Sequence, residues 1–314
     1  MPWNALNTIK NKKPAGGGVT WVATSDGPMI VTSVNGTNYT AAPTNGGITA
    51  FGAIGVAHGA GLWVVVGYGS IIVTSPDGNT WTAVASDKRG GLSDNAKGVA
   101  YNGINKWMAV GGGSKIATST SGISWTAAAT TGGISNYAHG VAYNGFDRWV
   151  AVGDGTRIVT SIDDGNNWVS ANTTGGISTT AFHVAYGAGT WIAVGDGNII
   201  ARSTDGIDWR SASTVGGLTQ GRGVAYNGID RWIAVGNGNR IVTSIDNGNN
   251  WNPVASLGGI DGTVFKVAYG NGLWVAVGSG TVKIATSTDN GNNWNPATAD
   301  GSIGVNIRGV AFKK

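Results

Sequence analysis

Ser161-Ile162-Asp163-Asp164-Gly165-Asn166-Asn167-Trp168 is the stretch that decides the fold, because the chain writes it again and again. It returns as Ser244-Ile245-Asp246-Asn247-Gly248-Asn249-Asn250-Trp251 and as Ser287-Thr288-Asp289-Asn290-Gly291-Asn292-Asn293-Trp294. Versions one residue shorter stand at Ser75-Pro76-Asp77-Gly78-Asn79-Thr80-Trp81 and Ser203-Thr204-Asp205-Gly206-Ile207-Asp208-Trp209. Two altered copies, Ser119–Trp125 and Ser33–Tyr39, carry Ser121 and Asn35 in place of the aspartate. The box tryptophans Trp81, Trp125, Trp168, Trp209, Trp251 and Trp294 are spaced 41–44 residues apart, a period that points to a repeat architecture.

Around each box the unit has a fixed order. Gly140-Val141-Ala142-Tyr143 is followed by a turn at Asn144-Gly145 and by Arg148-Trp149-Val150-Ala151-Val152-Gly153. A Gly-Asp-Gly turn then leads into Arg157-Ile158-Val159-Thr160-Ser161, the box, and Trp168-Val169-Ser170-Ala171. These are four short β-rich runs punctuated by Gly and Asn, residues that tolerate the positive φ of tight turns. Four antiparallel strands repeated every 40–45 residues or so predict propeller blades. Seven second-strand tryptophans (Trp21, Trp63, Trp107, Trp149, Trp191, Trp232 and Trp274) set the number of blades. The first unit begins at its second strand, and its missing inner strand stands at the other end, Arg308-Gly309-Val310-Ala311-Phe312. The expected fold is all-β: a seven-bladed propeller over residues 18–314, its closing blade shared between both chain ends, preceded by an arm of residues 1–17.

Composition narrows the chemistry. Glycine makes up 55 of 314 residues, at fixed places in the repeat, so it marks turns. All 16 acidic residues are Asp; Glu and Cys are absent. The chain therefore lacks disulfides, thiol nucleophiles and cysteine metal sites. No apolar run approaches the roughly 20 residues of a membrane span. Residues 1–5 lack the apolar core of a secretory signal, which points to a virion-associated or cytoplasmic protein. The arm carries Lys10, Lys12 and Lys13, and Trp3 offers an anchor to a larger assembly.

The S-x-D-x-G-x-x-W boxes resemble the BNR/Asp-box repeats of sialidase-like propellers. That resemblance implies the fold. For a catalytic member it also implies an arginine triad, a Tyr nucleophile assisted by Glu, and an Asp acid/base. A chain without Glu cannot assemble the Tyr–Glu pair, so the expectation is a non-catalytic member with no cofactor, no metal and no catalytic residue. Other proteins that resemble this group are lectins, assembly factors and parts of viral or phage particles, so function stays open. The box reads as a turn, with Asp accepting backbone N–H groups and Trp packing between sheets.

A second repeated feature carries charge. Ahead of six inner strands stand Lys97, His139, His183, Arg222, Lys266 and Arg308, with Ile54 in the remaining blade. Lys115, Arg157, Arg240 and Lys283 open third strands. In a propeller both positions lie at the same mouth of the channel, where eight Lys or Arg would focus a positive potential beyond the net +4. One reading is an anion-binding face for a glycan or an acidic protein surface, with nucleic acid disfavoured. The other is structural: Asp154 and Asp196 in the neighbouring turns pair with these groups and tie blades together. The word Gly-Gly-Ile/Leu precedes six of the seven inner strands as an apolar plug, and Tyr137, Phe182 and Phe265 beside it offer surfaces to stack on sugars. The leading expectation is a lectin-like or virion-associated binding module, the alternative a protein-docking scaffold or assembly factor, and last a glycoside hydrolase.

Overall fold

In the third blade the inner strand Ala138–Tyr143 pairs antiparallel with Trp149–Gly153, that strand with Ile158–Ser161, and that with Val169–Ser170. The computed structural model repeats this order around a ring and describes residues 18–313, apart from 50, 114, 115, 156, 157, 178, 239 and 300–302. Six sheets are built from consecutive chain. The seventh takes Trp21–Ser25, Ile30–Ser33 and Asn38–Ala41 from one end and Ile307–Phe312 from the other. Trp21 lies opposite Phe312 and Ala23 opposite Val310, so the closing blade is shared as the sequence requires. Among the described residues the only helical elements are single 3-10 turns at Tyr68–Ser70 and Ser86–Lys88, and no helix is long and apolar enough to cross a membrane. The fold is an all-β, seven-bladed propeller. The arm of residues 1–17 lies outside the described residues.

The boxes hold turns. Ser161 Oγ donates to Asp163 Oδ1 at 2.8 Å and accepts the Gly165 N–H at 3.1 Å. Asp163 Oδ1 accepts the Asn167 N–H at 2.9 Å, and Trp168 Nε1 donates to Gly165 O at 2.9 Å. The altered copies keep the pattern: Asn35 Oδ1 accepts the Thr37 and Asn38 N–H groups, and Ser121 Oγ accepts those of Ile123 and Ser124. An uncharged acceptor oxygen is enough to form the turn in these two copies. Gly36, at φ +77°, shows why the box needs glycine: a Cβ there would stand 2.7 Å from Trp21 Nε1. The second-strand tryptophans are buried at 2% exposure or less, so packing between blades is dominated by indole rings.

One feature was not legible in advance. Chain leaving one blade is bound to the outer edge of the next. Asn172–Gly175 adds a parallel strand to Asp208–Ser211, and Thr298–Ala299 adds one to Asn38–Ala41. Elsewhere the hydroxyls of Thr44, Thr130 and Thr214 accept the N–H groups of Trp81, Trp168 and Trp251 at 2.8–2.9 Å. Outer strands of two residues leave unpaired donors, and the passing chain satisfies them.

Two outcomes follow. Removing residues 307–314 strips the closing blade of its inner strand, and the shortened chain should lose its sharp thermal transition and elute as aggregates in size-exclusion chromatography. The Asp77 and Asp289 carboxylates are held down to about 2, chiefly by the backbone N–H groups of Thr80 and Asn293. Their contribution to stability is present above the unfolded value of about 3.9 and lost as pH falls towards 2. The D77N/D289N double variant should therefore lower Tm at pH 7 by no more than about 2 °C and narrow the Tm gap between pH 7 and pH 3. A larger loss at pH 7 would mean that the charge itself holds the turn.

Candidate functional site

The inner strands share a defect that builds the channel mouth. Ala96 faces Gly111 and Gly98 faces Val110, so Lys97 is an extra residue with no partner across the ladder. The same slip sets Ile54, His139, Phe182, Arg222, Phe265 and Arg308 out of register in the other blades. A β-bulge bends its strand and re-aims the extra side chain. These seven residues, with Tyr68 and Lys266, line a funnel of about 250 Å³ at one end of the channel.

The geometry corrects the sequence expectation in two ways. The basic residues lie inside the inner strands, at the bulge, and not ahead of them. Nor are they one ring. His183 and Lys266 sit one position further on, paired across from Val194 and Val277, where the other blades have Gly55, Gly98, Gly140, Gly223 and Gly309. In their two blades phenylalanine takes the bulge. His183 and Lys266 line the channel's neck, where the remaining void is about 80 Å³.

The funnel's charges are unequally matched. Arg308 grips Asp26 with Nη2 at 2.7 Å from Oδ2 and with a second bond from Nε to Oδ1. His139 Nε2 lies 2.7 Å from Asp154 Oδ1. Among the described residues the Arg308 pair is the one between a Lys or Arg and a carboxylate, and the His139 contact is an ion pair only when His139 is protonated. Asp26 was missed in the sequence, although it follows its second strand as Asp154 and Asp196 follow theirs. Arg222 donates to Gln220 Oε1 at 2.5 Å and to Asn237 Oδ1 at 3.3 Å, and reaches Asp196 only through Gln220. Thus among the described residues no carboxylate lies within 4 Å of Lys97, Arg222 or Lys266, although Asp154 and Asp94 act on Lys97 and Asp196 on Arg222 from further off, and the tying role expected of Asp196 is indirect.

Aromatic rings carry the cations. Lys97 Nζ lies 4.0 Å from the Tyr137 ring centroid, Arg222 Cζ 4.3 Å from Phe182, and Arg308 Cζ 4.0 Å from Phe265. One face of each ring is therefore covered by a cation. Such contacts strengthen as water is excluded. Burial lowers Lys266 to about 7, and the neighbouring Arg222 charge adds to the shift; its ammonium reaches only Arg222 O, at 3.5 Å. Burial likewise holds His183 well below its ordinary value, with the Lys266 charge adding to it, while its Nδ1 accepts the Val224 N–H at 3.2 Å. His183 is thus neutral at pH 7, with its proton on Nε2. His139 is lowered too, first by burial, with the Asp154 hydrogen bond opposing.

The two described members of the third-strand set, Arg240 and Lys283, do not line the funnel. Arg240 is exposed, and Lys283 Nζ bonds back to Gly280 O at 2.5 Å. Lys115 and Arg157 lie outside the described residues. The Gly-Gly-Ile/Leu plugs Ile48, Leu92, Ile134, Ile177, Leu218 and Ile260 are all buried. Among the described residues no cluster of three His or Asp side chains is placed to hold a metal ion.

The opposite end of the channel was read only as strand. There the repeated Val-Ala-Tyr word lines a vestibule of about 660 Å³. Its outer ring consists of His58, Tyr101, Tyr143, Tyr186, Tyr226, Tyr269 and Phe312, each packed on its blade's tryptophan at 4.7–5.0 Å. His58, far from the other two histidines, is lowered to about 4 by burial and by the charge of Lys313.

No protein-family model matches the chain, and no curated protein is similar to it in sequence. Its fold is shared by solved structures. The structure titled "YCF48 bound to D1 peptide" is 15% identical, with a TM-score of 0.65, over 83% of this chain and 85% of that one. The nidogen/laminin complex is 12% identical, with a TM-score of 0.58, over 93% and 97% of the two chains. The computationally designed Ika8 protein is 9% identical, with a TM-score of 0.58, over 82% and 80%. At these identities the likeness establishes the propeller fold alone.

Burial of Lys266 has a direct readout. After reductive 13C-methylation, one lysine resonance should titrate near 7 and vanish in Lys266→Met. If every lysine titrates near 10, the channel neck is wetter than its lining implies.

Proposed function

We propose that this chain is a non-catalytic recognition module of the Asp-box kind that binds an acidic segment of a partner protein at the bulge-lined mouth. The observation that carries this reading is the set of three cations, Lys97, Arg222 and Lys266, that share one funnel without a carboxylate partner. Burying charge is costly unless it is compensated, so a site that holds partly buried, unmatched cations is poised to take up an anion. The aromatic shelf under Lys97 and Arg222 fixes their heads in advance, which reduces the ordering cost of binding. The funnel narrows to a neck filled by His183 and Lys266, so the geometry favours a projecting loop or chain end over a threaded strand. Two propellers of this fold, YCF48 with its D1 peptide and the nidogen/laminin pair, were solved with protein partners, which supports the same use here.

A glycan is the less favoured ligand. Sugar stacking needs open aromatic faces, and Tyr137, Phe182 and Phe265 each have one face under a cation.

Isothermal titration with Asp-rich and Lys-rich peptides of equal length tests the reading. The acidic peptide should bind more tightly, less so as salt rises, and the K97Q/R222Q double variant should weaken it at least about tenfold. Equal affinity for both peptides sinks the proposal, and salt-insensitive binding on a glycan array would favour a lectin. Binding should also depend on pH in a defined direction. A bound anion favours charged Lys266, so association takes up a proton above pH 7 and affinity falls as pH rises from 7 to 9. Lys266→Met should flatten that profile.

A further inference from the structure

The vestibule opposite the mouth has a surface chemistry of its own. Its wall joins the aliphatic and aromatic groups of the Val-Ala-Tyr words to polar groups of His58, Asn102 and Asn144. Its rim carries bare apolar tips: Ile104, Phe146 and Ile229 in the turns after the inner strands are 66–76% exposed. The same face holds the box aspartates Asp77, Asp163, Asp205, Asp246 and Asp289, with Asp147 and Asp230 in the turns. A cavity with an aromatic and aliphatic wall, on a face whose turns carry these aspartates, fits a segment that joins apolar and basic residues. Its volume of about 660 Å³ lies within the roughly 300–1,000 Å³ of ordinary ligand sites.

The chain supplies such a segment beside the cavity. Residues 1–13 contain Trp3, Leu6 and Ile9 followed by Lys10, Lys12 and Lys13. They lead through Gly16-Gly17-Gly18 into Val19 and Trp21. Thr20 O accepts the Lys313 N–H at 2.8 Å, and Trp21 packs at 4.9 Å on Phe312, itself part of the cavity wall. Seventeen residues span up to about 56 Å when extended, ample to reach the cavity from this point. Tethering gives an effective concentration on the order of millimolar, so even weak intrinsic affinity fills the site. We propose that the vestibule is the docking site of the chain's own N-terminal segment, with Trp3 and Leu6 among the aromatic ring and Lys10, Lys12 and Lys13 towards the aspartates in the turns of the same face. This concerns the face opposite the funnel and does not depend on what the funnel binds.

The chain has no cysteine, so single cysteines report cleanly. In the full chain, Ala100→Cys in the vestibule wall should react with a small maleimide at least tenfold more slowly than in the same variant lacking residues 1–13. W3S/L6S in the full chain should restore the fast rate. Ala85→Cys, exposed on the opposite face, should react equally fast in all three backgrounds. Equal rates at position 100 with and without the arm overturn the proposal. A disulfide between Asn4→Cys and Asn105→Cys gives an independent readout. A monomer-sized product supports docking within one chain, and a dimer-sized product overturns it in favour of a second copy's arm.

Discussion

Everything in this molecule hangs on one antiparallel pairing between the two chain ends. Trp21–Ser25 and Ile307–Phe312 hydrogen-bond across nearly the whole sequence, and only that pairing turns seven separate sheets into a closed ring. A ring has no open end to its series of blades, so each inner strand is held between two neighbours. The seven bulges can then converge on one axis. Without closure the funnel, the neck and the vestibule would not exist as enclosed spaces.

The fold was legible because its determinants are local and repeated. Each box carries its own turn chemistry, from Ser161 and Asp163 to Gly165 and Trp168, and seven copies average out single departures such as Asn35 and Ser121. The straps between blades were not legible, because a lone Thr130 hydroxyl meeting Trp168 N–H is a long-range contact with no periodic signature. The site was half legible. Basic residues near the inner strands were visible, but placing them on one ring assumed that basic residues align with basic residues. Counting back from Val99 and Val184 puts Phe182, not His183, opposite Lys97. The bulge explains why this matters: neighbouring positions on a strand point to different surroundings, so an error of one residue moves a side chain from funnel to neck.

That one-residue distinction separates two kinds of cation. Arg308 sits at a bulge and has its carboxylate in Asp26, so its charge is largely answered within the fold. Lys266 sits half-buried in the neck, and the charge that acts on it, Arg222, is of the same sign. A protein gains nothing in stability from such an arrangement, since burial and like charge both oppose the ammonium form. Unfavourable electrostatics kept within a concave site are more readily understood as a requirement of binding than of folding.

The neck also makes the two ends of the channel chemically independent. Five blades have glycine at this level, and a seven-glycine ring would leave the axis open from mouth to vestibule. His183 and Lys266 narrow it from two blades separated by one other, and a void of about 80 Å³ remains between the lining residues. What remains is a cationic funnel on one face and a tyrosine-walled cavity on the other, with a half-buried, neutral imidazole and a weakly basic amine between them. A symmetric repeat multiplies the same scaffold seven times, and departures from symmetry are where it acquires direction. Here two side chains in place of two hydrogens narrow the channel between two faces of different chemistry.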